Sequence, residues 1–209
     1  MKKNILLTAA ALLTTLAGAA QWQPAGDRIG TEWGEKLDPQ NVLPEYPRPT
    51  LVRSRWRNLN GLWNYSLTPA GAAAPGEAQG RILVPFPIES SLSGVQRGVT
   101  PQEALWYETT FEVPAAWRRG NDVLLHFGAV DWRAEVYVND LLVGSHTGGY
   151  TPFSFDITPA LSAKGVQKLT VKVTDSTSGE VIRQIPSEEA LRLAERLDEA
   201  RSLLFKAEA

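Results

Sequence analysis

The chain has 209 residues, with 21 Lys and Arg against 23 Asp and Glu, a net charge of -2 and no cysteine. Disulfide and thiol chemistry are therefore excluded, and the mixed charge leaves none of the basic stripe by which a nucleic-acid binder is recognised. His126 and His146 are the only imidazoles, too few for a histidine-rich metal centre, and no metal or other cofactor is expected.

The first twenty residues read as a secretory signal. Lys2 and Lys3 precede an apolar run through Leu12 and Leu13, and Ala17, Gly18, Ala19 and Ala20 offer the small residues a signal peptidase cuts after. The run is shorter than the roughly 20 apolar residues of a spanning helix. Cleavage at 1–20 thus predicts a chain without a membrane span, in the periplasm or outside the cell. Residues 21–50, broken by five prolines, read as an extended lead-in.

From 51 to 174 the pattern is that of strands. Residues 61–67 alternate large apolar with smaller polar side chains, and 81–85 form a short strand stopped by Pro85. Residues 86–103 carry turn formers and read as a long loop. In 105–113 the odd positions are mostly apolar, whereas the even positions hold Trp106, Glu108, Thr110 and Glu112, so the even face turns at least partly to solvent. Residues 121–127 are apolar enough for a central strand. Residues 134–138 and 141–145 flank Asn139–Asp140, a hairpin turn pair. Residues 153–157 and 168–173 complete the set, with no helical period between 56 and 174. The expected fold class is all-β, a β-sandwich, with an open barrel as the alternative.

Residues 175–209 change character. Residues 181–185 suit one more strand. Ser187 is a candidate N-cap for an amphipathic helix to Leu204, with Ala190, Leu193, Ala194, Leu197 and Leu204 on one stripe. That stripe either docks on the sandwich or, across 187–204, serves a protein partner or self-association.

No phosphate loop, zinc helix or serine elbow is present, and no catalytic residue is assigned. Seven tryptophans suit sugar faces and apolar cores alike. Candidate carbohydrate contacts are Glu89, Tyr107, Asp131, Trp132, His146 and Tyr150, with Asn139 as a further polar group near a turn. Asp131 and Trp132 stand where an apolar strand ends. Asp131 is expected to accept from backbone amides and so fix the loop, and Trp132 to cover apolar strand surface, with sugar contact as the alternative for both. His146 adjoins Gly148, Gly149 and Tyr150 and is either ligand-facing or a turn cap.

Several segments carry a resemblance. They include Trp56–Arg57–Asn58–Leu59–Asn60–Gly61–Leu62–Trp63, Val84–Pro85–Phe86–Pro87, and Phe127–Gly128–Ala129–Val130–Asp131–Trp132. His146–Thr147–Gly148–Gly149–Tyr150 and Pro152–Phe153–Ser154–Phe155–Asp156–Ile157 add to them. Over about residues 46–174 the chain resembles the sugar-binding domain of family 2 glycoside hydrolases, of the β-galactosidase and β-glucuronidase type. The resemblance implies a galactose-binding-like jelly roll and a carbohydrate ligand. In that family a separate barrel of about 250 residues carries the catalytic glutamates, so hydrolysis by this chain is not expected. Residues 169–209 are similar to the C-terminal part of the flagellar protein FlaG. Two further readings stay open: an interaction protein docking through its C-terminal helix, and a glycosidase by domain similarity.

Overall fold

The computed structural model describes residues 22–26, 30–47, 52–163 and 165–175. The chain divides into two units, Met1–Asp175 and Ser176–Ala209, and all described residues lie in the first. The signal at 1–20, the strand at 181–185 and the helix at 187–204 lie outside the described residues.

Among the described residues eight strands form two sheets of unequal size. They are β1 (Gly61–Pro69), β2 (Gly80–Val84), β3 (Glu103–Phe111), β4 (Leu124–Phe127), β5 (Arg133–Val138), β6 (Leu141–Thr147), β7 (Phe153–Asp156) and β8 (Gln167–Thr174). The larger sheet runs β2-β1-β3-β8-β5-β6, and β4 pairs with β7 alone. Every pairing is antiparallel.

The register across the larger sheet sorts its side chains by face. One row runs Thr109, Leu169, Val138, and the row two residues on runs Tyr65, Tyr107, Val171, Val136. Both rows face the core, where Val136, Val138 and Leu169 are fully buried together with Ile82. Each such aliphatic side chain stabilises the fold by about 1.5–3 kcal/mol. Leu125 of β4 and Ile157 after β7 enter the same core from the smaller sheet. Gly144 lets β6 approach that sheet: a Cβ there would lie 2.3 Å from the Phe155 ring.

The β5–β6 hairpin closes on Asn139 and Asp140, with φ of 50° and 66°. Two consecutive left-handed residues are what a tight hairpin turn requires, and Asn and Asp tolerate them better than other side chains do. Beyond Tyr65, where β2 no longer accompanies β1, the Gln79 side chain takes over. Its carboxamide donates to the Leu67 carbonyl at 2.9 Å and accepts from the Leu67 N–H at 3.0 Å.

Two expectations are corrected. The fold is not purely all-β and does not close into a barrel: among the described residues it is a mixed fold with two sheets and two short helices, α1 (Glu32–Glu35) and α2 (Ala115–Arg118). Thr31 caps α1 by accepting from Gly34 N–H, and Pro114 precedes α2. Each helix is a single turn, shorter than the window over which a helical period registers. The apolar stretch 121–127 is not a central strand of the large sheet. It supplies β4 of the two-stranded sheet, with Leu125 buried and Leu124 exposed. A short apolar run does not say which sheet it joins.

The lead-in packs on the domain. Val42 is 3% exposed, and the carboxamides of Asn58 and Asn60 donate to the carbonyls of Leu43 and Val42. Among the described residues no helix is long and apolar enough to cross a membrane, and no cluster of His, Asp and Glu could hold a metal ion.

Candidate functional site

The residues nominated from sequence fall into two groups. Glu89 and Tyr107 are close enough to interact: burial first, and the Glu89 charge second, push the Tyr107 hydroxyl well above the ordinary phenol range. Tyr107 packs against the core, and Glu89 is exposed beside it. Among the described residues no hydrogen bond, ion pair or ring contact links this pair to the other four.

Asp131, Trp132, His146 and Tyr150 gather where β5 begins and β6 ends. The Gly148 N–H donates to the Trp132 carbonyl at 2.9 Å, which ties the two loops together. Gly149 lies against Asp131 so closely that a Cβ would meet the Asp131 Oδ1 at 2.5 Å. His146 stacks on Phe153 with centroids 4.2 Å apart, and its Nε2 lies 3.1 Å from the Thr151 hydroxyl. The histidine therefore braces the loop. Tyr150 is 95% exposed and Trp132 half-buried, outside the core cluster. Asp131 is exposed and accepts none of the backbone bonds anticipated for it among the described residues. An exposed carboxylate can accept from sugar hydroxyls, and an exposed phenol ring can stack on a sugar's C–H face.

Asn139 is structural. Its carboxamide donates to Ala160 O at 2.9 Å and to Gln167 Oε1 at 2.8 Å, and it accepts from Lys168 N–H at 2.9 Å.

A groove of about 440 Å³ crosses the opposite, outward face of the large sheet. Its floor is one register row, Asn64, Glu108, Thr170 and Tyr137, beside the next, Ser66, Trp106 and Lys172. Residues 72–78 form its rim. They are held by Ser66, whose hydroxyl donates to Glu77 O at 3.3 Å and accepts from Gln79 N–H at 3.2 Å. Trp106 is buried here, outside the core cluster, with its indole N–H on the Thr68 hydroxyl at 2.9 Å. The Lys172 ammonium stands 5.3 Å from the ring centroid and 3.8 Å from Glu135. Lys168 bridges Glu108 at 3.2 Å and Asp140 at 3.1 Å, and the Asp140 bond above all raises its pKa.

Sequence reading turned the even face of β3 outward, as found, but nominated none of the groove residues. The signal lay in parity. Asn64 and Ser66, Trp106 and Glu108, and Lys168, Thr170 and Lys172 all occupy the polar phase of their strands.

Residues 56–194, more than half of the chain, match the family described as "Glycosyl hydrolases family 2, sugar binding domain". The match continues beyond 174, to residue 194. A β-glucuronidase of Paenibacillus borealis is 29% identical over 136 residues, covering 62% of this chain and 22% of that protein. A β-galactosidase of Thermoanaerobacter pseudethanolicus is 42% identical over 71 residues, covering 34% and 9%. The solved β-glucuronidase of Lactobacillus rhamnosus aligns at a TM-score of 0.48 and 28% identity, over 58% of this chain and 21% of that one. The chain spans less than a quarter of the length of each of these relatives. By its family match, the chain belongs to the sugar-binding domains of family 2 glycosyl hydrolases.

Proposed function

We propose that the protein is a secreted carbohydrate-binding module, acting in the periplasm or outside the cell. Its sugar contacts are assigned to the loop end of β5 and β6, with Asp131 and Tyr150 touching the ligand and His146 and Trp132 shaping the site. The observation that carries this is the approach of Gly149 to Asp131, which brings the exposed carboxylate against the loop that carries the exposed Tyr150. Glu89 and Tyr107 are assigned a lesser role, as a separate polar pair. Binding rather than turnover is the reading.

Calorimetric titration of the secreted protein with β-galactosides and β-glucuronides tests this. Millimolar affinity is expected, lowered about tenfold or more by Tyr150→Ala, the loss of a sugar-stacking ring. Absence of heat from folded protein overturns it.

A second reading concerns the apolar stripe at 187–204, to which we assign a protein partner or a second copy of the chain. Light scattering of the full chain and of one ending at Asp175 separates the outcomes: an oligomer only with the tail supports it, and monomers in both cases remove it.

A further inference from the structure

The groove on the outward face of the large sheet lies on the other side from the core and is built mainly from β1, β3 and β8, with Tyr137 of β5, rather than from the loops at the end of β5 and β6. Its floor contains two polar side chains without a hydrogen bond among the described residues, the Asn64 carboxamide on β1 and the Thr170 hydroxyl on β8. Glu108 stands between them in the same register row, and Tyr137 follows Thr170. With neighbouring strands about 4.8 Å apart, the four side chains span roughly 14 Å. Amide, hydroxyl, carboxylate and phenol offer donors and acceptors in alternation along that line.

The rest of the groove is less polar. The rim at 72–78 is mostly alanine, with Pro75 and Gly76, and presents methyl groups over the floor. A hydroxyl-reading floor under a methyl rim matches a ligand with hydroxyls on its edge and C–H groups on its face. The volume of about 440 Å³ lies within the range of small-molecule sites.

Charge selects among such ligands. The groove is lined by three carboxylates, Glu77, Glu108 and Asp140, and by two ammonium groups, Lys168 and Lys172. Lys168 is committed to two of the carboxylates, and Lys172 faces Glu135 and the Trp106 ring. An anionic sugar would meet an excess of like charge and displace existing pairs. We infer that this groove is a second carbohydrate site, separate from the loop end, that takes an uncharged sugar residue and discriminates against uronides.

The test is an amide and indole proton–nitrogen NMR titration of the full chain with methyl β-galactoside, methyl β-glucoside and methyl β-glucuronide. The neutral glycosides are expected to shift the Trp106 indole N–H and the amides of Ser66 and Thr170, with the glucuronide at least tenfold weaker there. Thr170→Val keeps the shape of the side chain and removes its hydroxyl. It is expected to weaken these shifts about five- to tenfold, as the loss of one hydrogen bond does, at an unchanged urea midpoint. Asn64→Ala acts in the same direction, and Tyr150→Ala leaves the groove shifts in place. Shifts confined to residues 131–150 would overturn the groove and leave the loop-end reading standing. Shifts at the groove that Tyr150→Ala abolishes would overturn its independence. No shift anywhere in folded protein would remove both sites, and tighter glucuronide binding at Trp106 would overturn the charge argument.

Discussion

The carboxamides of Asn139 and Gln167 meet at 2.8 Å, with Gln167 fully buried. Gln167 also accepts from Ser162 N–H and donates to Gly165 O, both within 2.9 Å. One pair of side chains thus ties the β5–β6 turn, the 3-10 turn at Thr158–Ala160 and the start of β8. Asn139→Ala is expected to destabilise the protein by about 1–3 kcal/mol through unpaired buried groups, and Ala is also poorly suited to φ of 50°. Asn139→Gly keeps the turn and loses the bonds. Urea midpoints for both variants separate the contributions, and equal stability of Asn139→Gly and the parent would refute the role.

Gly144 is where β6 meets the small sheet. Gly144→Ala is expected to cost about 1–3 kcal/mol by overpacking against Phe155. In a Gly144→Ala, Phe155→Leu double variant part of that loss returns. Additive losses in the thermodynamic cycle would show that the two sites do not couple.

Tyr107 sets an alkaline limit. Its folded pKa is raised by burial and by Glu89, so between about 10, the unfolded value, and the folded one the native state holds a proton that the unfolded state releases. Stability is therefore full below about pH 10 and falls as pH rises above it. Lys168, also raised, acts in the same direction. Tyrosinate absorbance of the folded protein is expected to report fewer than the five tyrosines of the chain titrating before unfolding. Tyr107→Phe flattens the alkaline decline in urea midpoint, and an unchanged slope in that variant would count against the assignment.

Asp131 is exposed and accepts no backbone bond among the described residues. Asp131→Asn is expected to move stability by less than about 0.5 kcal/mol while weakening glycoside binding at the loop end. A large drop in urea midpoint with binding intact would return Asp131 to a purely structural role.

Strand alternation was legible wherever one face of a strand meets the core. It located β1, β3, β5 and β8, and the Asn139–Asp140 turn, because side-chain period and turn chemistry are local properties. The partner of β4 was not legible, since Val123 to Phe127 is apolar whichever sheet it joins. The one-turn helices escaped because four residues hold no period. At the loop end, Asp131 and Tyr150 were named from motif segments, but the absence of backbone donors around Asp131 depends on the path of its neighbours. The groove depends on register: Asn64, Glu108 and Thr170 come from three strands far apart in sequence, and only pairing aligns them.

The Gln79 side chain also bears on how copies of this protein behave toward one another. A strand margin with open N–H and C=O groups invites a neighbouring molecule to add a strand of its own. At Leu67 both groups are already taken by a single carboxamide. Gln79→Ala would open that margin, and concentrated solutions of the variant are expected to develop thioflavin-positive aggregates sooner than the parent. The side chain matters more for colloidal behaviour than its modest share of folding energy suggests.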